Sequence, residues 1–216
     1  MKTKALLLAL TSFAFALGSQ AQSTTFGVRA GVNFQNINGK ESNGDDTKNK
    51  LKTGFNVGVN AEIPVATDFY VQPGVLFTTK GAKSKKDDDI KLNISYIEVP
   101  INFLYKPGLG DGKLILGIGP YIAFGIGGKY TDSNGKEWDL KFKNDITLTQ
   151  WAQNYYIKRM DFGGNLLFGY ELSSKLSAQL NAQLGMVNIN PDIQDFSSDK
   201  TKYKNTGFGV SVGYRF

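Results

Sequence analysis

The sequence predicts an all-β protein, an eight-stranded antiparallel up-and-down transmembrane β-barrel with short periplasmic turns and long extracellular loops. Three observations predict it. Eight segments alternate apolar and polar residues at the strand period, the connections between them alternate long and short, and a leader opens the chain.

The leader reads MKTKALLLALTSFAFALGSQAQ. Lys2 and Lys4 precede an apolar run from Ala5 to Leu17, and small residues follow at Ser19 and Ala21. That order is a secretory signal, too short for a spanning helix. Cleavage after Ala21 is expected, giving a signal peptide, 1–21, and one barrel domain, 22–216. Losing Lys2 and Lys4 lowers the net charge from +6 to +4, and an exported chain with that modest surplus is not expected to bind nucleic acid. No later stretch offers about 18 consecutive apolar residues, so a membrane would have to be crossed by strands.

The composition fits pleated, aromatic-rich strands: 25 Gly, 15 Phe and 10 Tyr, with no Cys and no His. Without cysteine there is no disulfide framework, thiolate metal site or lipidated cysteine. A mean hydropathy of -0.26 decides nothing, because a membrane barrel averages a polar face with an apolar one.

In the first segment Phe26, Val28, Ala30, Val32 and Phe34 alternate with Gly27, Arg29, Gly31, Asn33 and Gln35. The second sets Phe55, Val57, Val59, Ala61 and Ile63 against Asn56, Asn60 and Glu62. The third carries Phe69, Val71, Val75 and Phe77 on its apolar face, with Pro73 pointing to a bulge or an edge. In the fourth, Ile97, Val99, Ile101, Phe103 and Tyr105 face away from Glu98 and Asn102, and the upstream Leu92–Tyr96 stretch is out of phase, which predicts a bulge near Tyr96. The fifth opposes Leu116, Ile118, Ile122, Phe124 and Ile126 to Gly117, Gly119, Tyr121 and Gly125. The sixth opposes Phe162, Leu166 and Phe168 to Asp161, Asn165 and Glu171. The seventh alternates Leu176, Ala178, Leu180, Ala182, Leu184 and Met186 with Ser177, Gln179, Asn181 and Gln183. The eighth ends the chain on Phe208, Val210, Val212, Tyr214 and Phe216.

Short turns follow the second, fourth and sixth segments, and long polar stretches follow the others. Short periplasmic turns and long outer loops place both termini in the periplasm. A soluble barrel would also have one apolar strand face, turned inward. Here the polar face is rich in Gly, Asn, Gln and Ser with scattered charges, which suits a crowded lumen better than a free surface.

At YIEVPINFLY, GIGPYIAFGIG, DFGGNLLFGYEL and the terminal GYRF, the chain resembles the PorT-like "porin family" of outer-membrane β-barrels of Bacteroides-type Gram-negative bacteria. The resemblance implies residence in the outer membrane. Its partners would be outer-membrane lipids and lipopolysaccharide, and the barrel-assembly machinery during biogenesis. Val212, Tyr214 and Phe216 look like the C-terminal signal that this machinery reads, and Phe216 also suits an interfacial aromatic. A monomer is expected.

No enzymatic role, cofactor or metal is expected. Small outer-membrane hydrolases and acyltransferases generally use a histidine as base or partner, and the chain has none. The GIGGKY run lacks the first glycine and the hydroxyl residue of a phosphate loop, so its glycines are expected to be close-packed strand residues. TDSNGKE has too few acids for a calcium loop and reads as a hairpin turning at Asn134-Gly135. KSKKDDDIK, from Lys83 to Lys91, reads as a solvated loop of mutually neutralising charges.

Arg29, Glu62, Glu98, Asp161, Glu171 and Arg215 fall on the polar face and are expected to pair as a lumen charge network, since unpaired buried charge is costly. In a barrel of about eight strands, such side chains fill the interior. The expected function is therefore structural or interactive, with extracellular loops presented over a side-chain-plugged lumen. The alternative is a narrow or gated channel for small solutes or ions. Trp138, Trp151 and Tyr155 in the longest loop are candidate contacts for an unidentified extracellular ligand.

Overall fold

The computed structural model describes residues 24–41, 44–47, 49–194 and 201–216. The expected signal peptide and its cleavage site lie outside them. Eight long strands form the body: β1 (Thr25–Lys40), β2 (Lys52–Ala66), β3 (Phe69–Ser84), β4 (Lys91–Tyr105), β5 (Gly112–Thr131), β6 (Met160–Glu171), β7 (Leu176–Gly185) and β8 (Lys202–Arg215). Each pairs antiparallel with the next. The last pairs with the first, from Gly27↔Arg215 to Lys40↔Lys202, so the sheet closes without an edge.

The apolar faces point outward. Phe26 and Val212 are each 63% exposed, and Val57, Val75, Ile118, Leu166 and Leu180 are exposed around the same belt. Opposite them, Asn33, Gln72, Asn102, Asn165 and Gln183 are buried. A soluble barrel has the reverse arrangement, so this inversion identifies a lipid-facing surface around a polar interior. No helix among the described residues is long and apolar enough to cross a membrane.

Backbone details follow the local sequence. The β2–β3 turn is two residues long, with Asp68 at φ 61°, and Lys175 takes φ 68° in the β6–β7 turn. The bulge expected near Tyr96 is present as a register shift between Ser95 and Tyr96 against β5. Pro73 lies in a strand paired on both sides, so it marks no edge; after Pro73↔Ile101 the β3–β4 pairing resumes at Leu76↔Glu98. Long inward side chains lie across from glycine: Arg29 pairs with Gly58 and Gly213, and Gln35 with Gly207. These small neighbours make room for guanidinium and amide groups in a narrow bore.

One expectation needs correction. The lumen is not polar throughout: Leu104, Ile115 and Leu167 form a small buried apolar cluster toward the turn end, and the loop end is apolar as well. There, Ile37, Ala82, Ile94, Tyr96, Tyr121 and Ala123 turn inward and meet Leu140, Ile157 and Ile189 from the loops in one apolar core. The out-of-phase Leu92–Tyr96 stretch thus continues β4 and faces that core. The loops fold down because these residues have no other apolar partner to bury against.

Candidate functional site

At the turn end of the lumen four charged groups meet. Lys106, just past β4, holds Glu62 and Glu171 at 2.8 Å each, and Arg215 holds Glu62 at 2.7 Å while its Nε stands 3.7 Å from Glu171. Arg215 also donates to Asn60 Oδ1 at 2.9 Å and to the Thr25 carbonyl at 3.4 Å. Two cations and two carboxylates leave this floor electroneutral.

The second cluster lies toward the loop end, under the apolar core. Lys80 Nζ is 2.8 Å from Glu98 and 3.2 Å from Asp161, and it sits 4.0 Å from the centre of the Tyr121 ring. Asp161 Oδ2 also accepts from Tyr121 Oη at 3.2 Å and from Asn205 Nδ2 at 2.9 Å. Lys80 and Asp161 are both 0% exposed. A lysine so far from solvent is tolerable only with this many partners.

A chain of amides joins the two clusters. Gln72 donates to Glu62 at 3.1 Å, Asn102 to Gln72 at 3.4 Å, Asn165 to Asn102 at 3.5 Å, and Gln183 to Asn165 at 2.9 Å. Gln183 Nε2 donates its other hydrogen to Glu98 at 2.7 Å. Every donor therefore points toward a carboxylate, with the reversal at Gln183 and an acceptor at each end. The arrangement satisfies buried amides that would otherwise cost about 1–3 kcal/mol each.

The six charges expected to form one network are thus divided. Glu62, Glu171 and Arg215 come together at the floor, and Glu98 and Asp161 meet around Lys80. Arg29 stands apart from direct pairing: among the described residues it has no ion pair within 4 Å, Glu98 attracts it only at longer range, and its Nε is buried without a hydrogen-bond partner. It stands between two cavities of about 10 Å³ each, room for about one water. Sequence reasoning missed Lys80 and Lys106. The signal was available, because four carboxylates against two guanidinium groups leave a low-dielectric bore short of two cations. Lys80 continues the inward phase of Gln72 and Leu76, and Lys106 that of Asn102 and Leu104.

Above the clusters, the β5–β6 loop forms a lid. Its strand Glu137–Phe142 pairs with the end of β5, and Tyr155–Ile157 pairs parallel with Leu140–Phe142. Asp145–Ile146 pairs with Asp192–Ile193 of the β7–β8 loop, and Lys158 reaches Asp192 at 2.8 Å, so the two loops are tied together. Gly125 and Gly128 of the GIGGKY run lie on β5 beneath Phe142 and Leu140. A Cβ on Gly125 would collide with the Phe142 ring at Cε1. Gly125→Val should therefore lift Phe142 from the mouth and speed proteolysis within 137–157, while the heat-modifiable gel shift of the folded barrel persists. Unchanged cleavage would show that Phe142 does not seat the lid.

The loop aromatics lie at the surface. Trp151 is 62% exposed on the short helix α1 (Leu148–Gln153), which Thr147 caps. Tyr155 stacks on Tyr130 at 3.9 Å between centroids and tilts against Trp138 at 6.2 Å. The TDSNGKE segment is the expected hairpin, with Gly135 at φ 75°. Asp132 accepts from Trp138 Nε1 at 3.2 Å and from the backbone of Lys136 and Asn134. These donors, the indole first, hold its carboxyl below the usual carboxylate range. Among the described residues no cluster of three metal-ligating side chains occurs. At the C-terminus, Val212, Tyr214 and Phe216 point outward, and the Phe216 amide donates to the Phe26 carbonyl at 2.8 Å.

The chain is similar to Neisserial surface protein A at 13% identity, covering 88% of this chain and 97% of that one with a TM-score of 0.46. It is similar to a major outer membrane protein of Thermus thermophilus at 17% identity, covering 89% and 99%, TM-score 0.44. A third likeness is to Ail, the attachment invasion locus protein of Yersinia pestis, at 13% identity, 89% and 98% coverage and TM-score 0.44. No curated protein matches. The family model for the outer membrane protein beta-barrel domain matches residues 5–216, and with a closed barrel, an apolar belt and a polar bore beneath that match, the chain belongs to this outer-membrane family.

Proposed function

We propose that this is a non-conducting outer-membrane barrel of the PorT-like kind, with a structural or interaction role carried by its outer loops. One observation supports this reading above others. The bore is occupied along its length by the apolar lid core, the Lys80 cluster, the amide chain and the Lys106 floor, and the cavities beside Arg29 have room for about one water each. An ion crossing such a bore would have to displace paired charges from a low-dielectric interior. The absence of histidine supports a non-enzymatic role. Trp151, with Trp138 and Tyr155 nearby, is the loop surface we assign to contact with an extracellular partner. We assign Val212, Tyr214 and Phe216 to recognition by the barrel-assembly machinery.

Planar-bilayer recording tests the reading. Purified, refolded protein should give a flat baseline across a range of voltages. A steady open current that shifts on Glu62→Gln or Lys80→Gln would overturn it in favour of a narrow channel.

A further inference from the structure

Two guanidinium groups, Arg29 and Arg215, line one cavity of about 10 Å³ toward the turn end of the bore, together with Asn60, Glu171, Ser177 and Gln179. The Nε of each is buried without a hydrogen-bond partner, and Arg29 makes no side-chain hydrogen bond to any described residue. A guanidinium carries five N–H donors and no acceptor. The side-chain acceptors on the wall are mostly engaged: Asn60 Oδ1 accepts from Arg215 at 2.9 Å, Ser177 Oγ from Gln179 at 3.1 Å, and Glu171 Oε2 from Lys106 at 2.8 Å. Against the unspent donors of two arginines, only the second oxygen of Glu171 and the amide oxygen of Gln179 are left, so donors outnumber acceptors around this space.

Charge makes the same demand. In the turn half of the bore Arg29, Lys106 and Arg215 stand against Glu62 and Glu171, three cations to two carboxylates. Glu98 attracts Arg29 only at longer range, and Lys80 already holds that carboxylate at 2.8 Å. A buried charge without a close counter-charge is costly in a low-dielectric interior. The space itself is made by a glycine: Gly213 lies in register with Arg29 and Ser177, and a Cβ there would stand 2.8 Å from Ser177 Oγ. Room for about one water admits a halide and excludes sulfate, phosphate or a carboxylate. Entry is from the turn side, where the Arg215 and Glu171 side chains are 11% and 15% exposed while Lys106 and Glu62 are closed off beneath them.

We infer that Arg29 and Arg215 bind one small monovalent anion, of halide size, in this cavity. The ion accepts from both guanidinium groups, brings the turn half of the bore to neutrality and ties β1 to β8 through their side chains. Glu171 shares the wall, and its own charge is met by Lys106 and Arg215, which leaves the cavity suited to a singly charged ion rather than a divalent one. A water fills the same volume but leaves the charge unanswered, so dependence on the anion separates the two occupants. The inference concerns the floor alone and rests neither on the loop contacts nor on whether the bore conducts.

The test uses the full-length barrel in detergent micelles, with sodium gluconate replaced stepwise by sodium chloride or sodium bromide at constant ionic strength. The readouts are the urea midpoint and the chloride NMR linewidth. An ion that binds only the folded state stabilises it, so the wild-type midpoint should rise with the logarithm of halide concentration. Arg29→Met and Gly213→Ala should each weaken the apparent halide affinity at least about tenfold. The first removes donors, and the second fills the space while keeping every charge, so it decides the matter if the first fails to fold. Lys83→Gln/Lys91→Gln, which removes only cross-strand charges at the loop end, should respond as wild type does. Equal wild-type midpoints in chloride and gluconate, with no excess linewidth, would overturn the proposal and leave water as the occupant. So would a halide response undiminished in either cavity variant, which would assign it to surface lysines or to a general salt effect.

Discussion

Lys80→Met should destabilise the barrel by roughly 3–5 kcal/mol, read from urea unfolding in detergent micelles. Lys80 is the one cation in contact with both Glu98 and Asp161 among the described residues, at 2.8 and 3.2 Å, and neither acid has water to turn to. Methionine fills similar volume, so the loss is of charge rather than packing. The two carboxylates would then face each other across the bore with only Gln183, Asn205 and Tyr121 donating to them. Adding Asp161→Asn should recover part of the loss, and adding Glu98→Gln as well should recover most of it, because a neutral polar set no longer needs a cation. A loss below about 1 kcal/mol for the single variant would mean that water reaches the cluster and screens it.

The same residue shows where reading along the chain runs out. Arg29, Glu62, Glu98, Asp161, Glu171 and Arg215 are legible because they sit in runs whose outward neighbours are apolar, so phase alone turns them inward. Beyond Phe77 the alternate positions of β3 become Thr79, Gly81 and Lys83, none of them apolar, and hydropathy stops marking a strand that the hydrogen-bond ladder carries on to Ser84. Lys106 is hidden for a related reason: it follows the last apolar residue of β4 and precedes Pro107, where a turn is the natural reading. Charge balance, rather than periodicity, is the signal that finds both.

The lid is harder to foresee. Leu140, Ile157 and Ile189 come from two separate loops, and what brings them together is the apolar mouth that Ile37, Ile94 and Tyr96 leave open. The alternation of Trp138, Leu140 and Phe142 in EWDLKF hints at a strand, but no local pattern says that its apolar face turns into a barrel. The amide chain is likewise invisible strand by strand. Gln72, Asn102, Asn165 and Gln183 stand on four strands, and only the closed register places each beside the next.

That chain carries the second large effect. Glu62→Gln should cost about 2–4 kcal/mol in the same unfolding measurement. Glu62 accepts from Lys106 at 2.8 Å through Oε2, and from Arg215 at 2.7 Å and Gln72 at 3.1 Å through Oε1, so the substitution turns an amide NH₂ either on Lys106 or on Arg215 and Gln72 together. Lys106 and Arg215 would share Glu171 alone, leaving the floor with an uncompensated positive charge. The consequence should not stay at the floor. Distant, independent sites usually add to within about 0.3–0.5 kcal/mol, and Glu62 and Lys80 share no partner. Four amides nevertheless link them, each oriented by the acceptor at its end, and reversing one amide forces its neighbour to reverse or lose its bond. A double-mutant cycle between Glu62→Gln and Lys80→Met should therefore give a coupling above about 0.5 kcal/mol that disappears when Asn102→Leu cuts the chain. Strict additivity in the intact background would show that the two clusters are separate plugs that happen to share a bore.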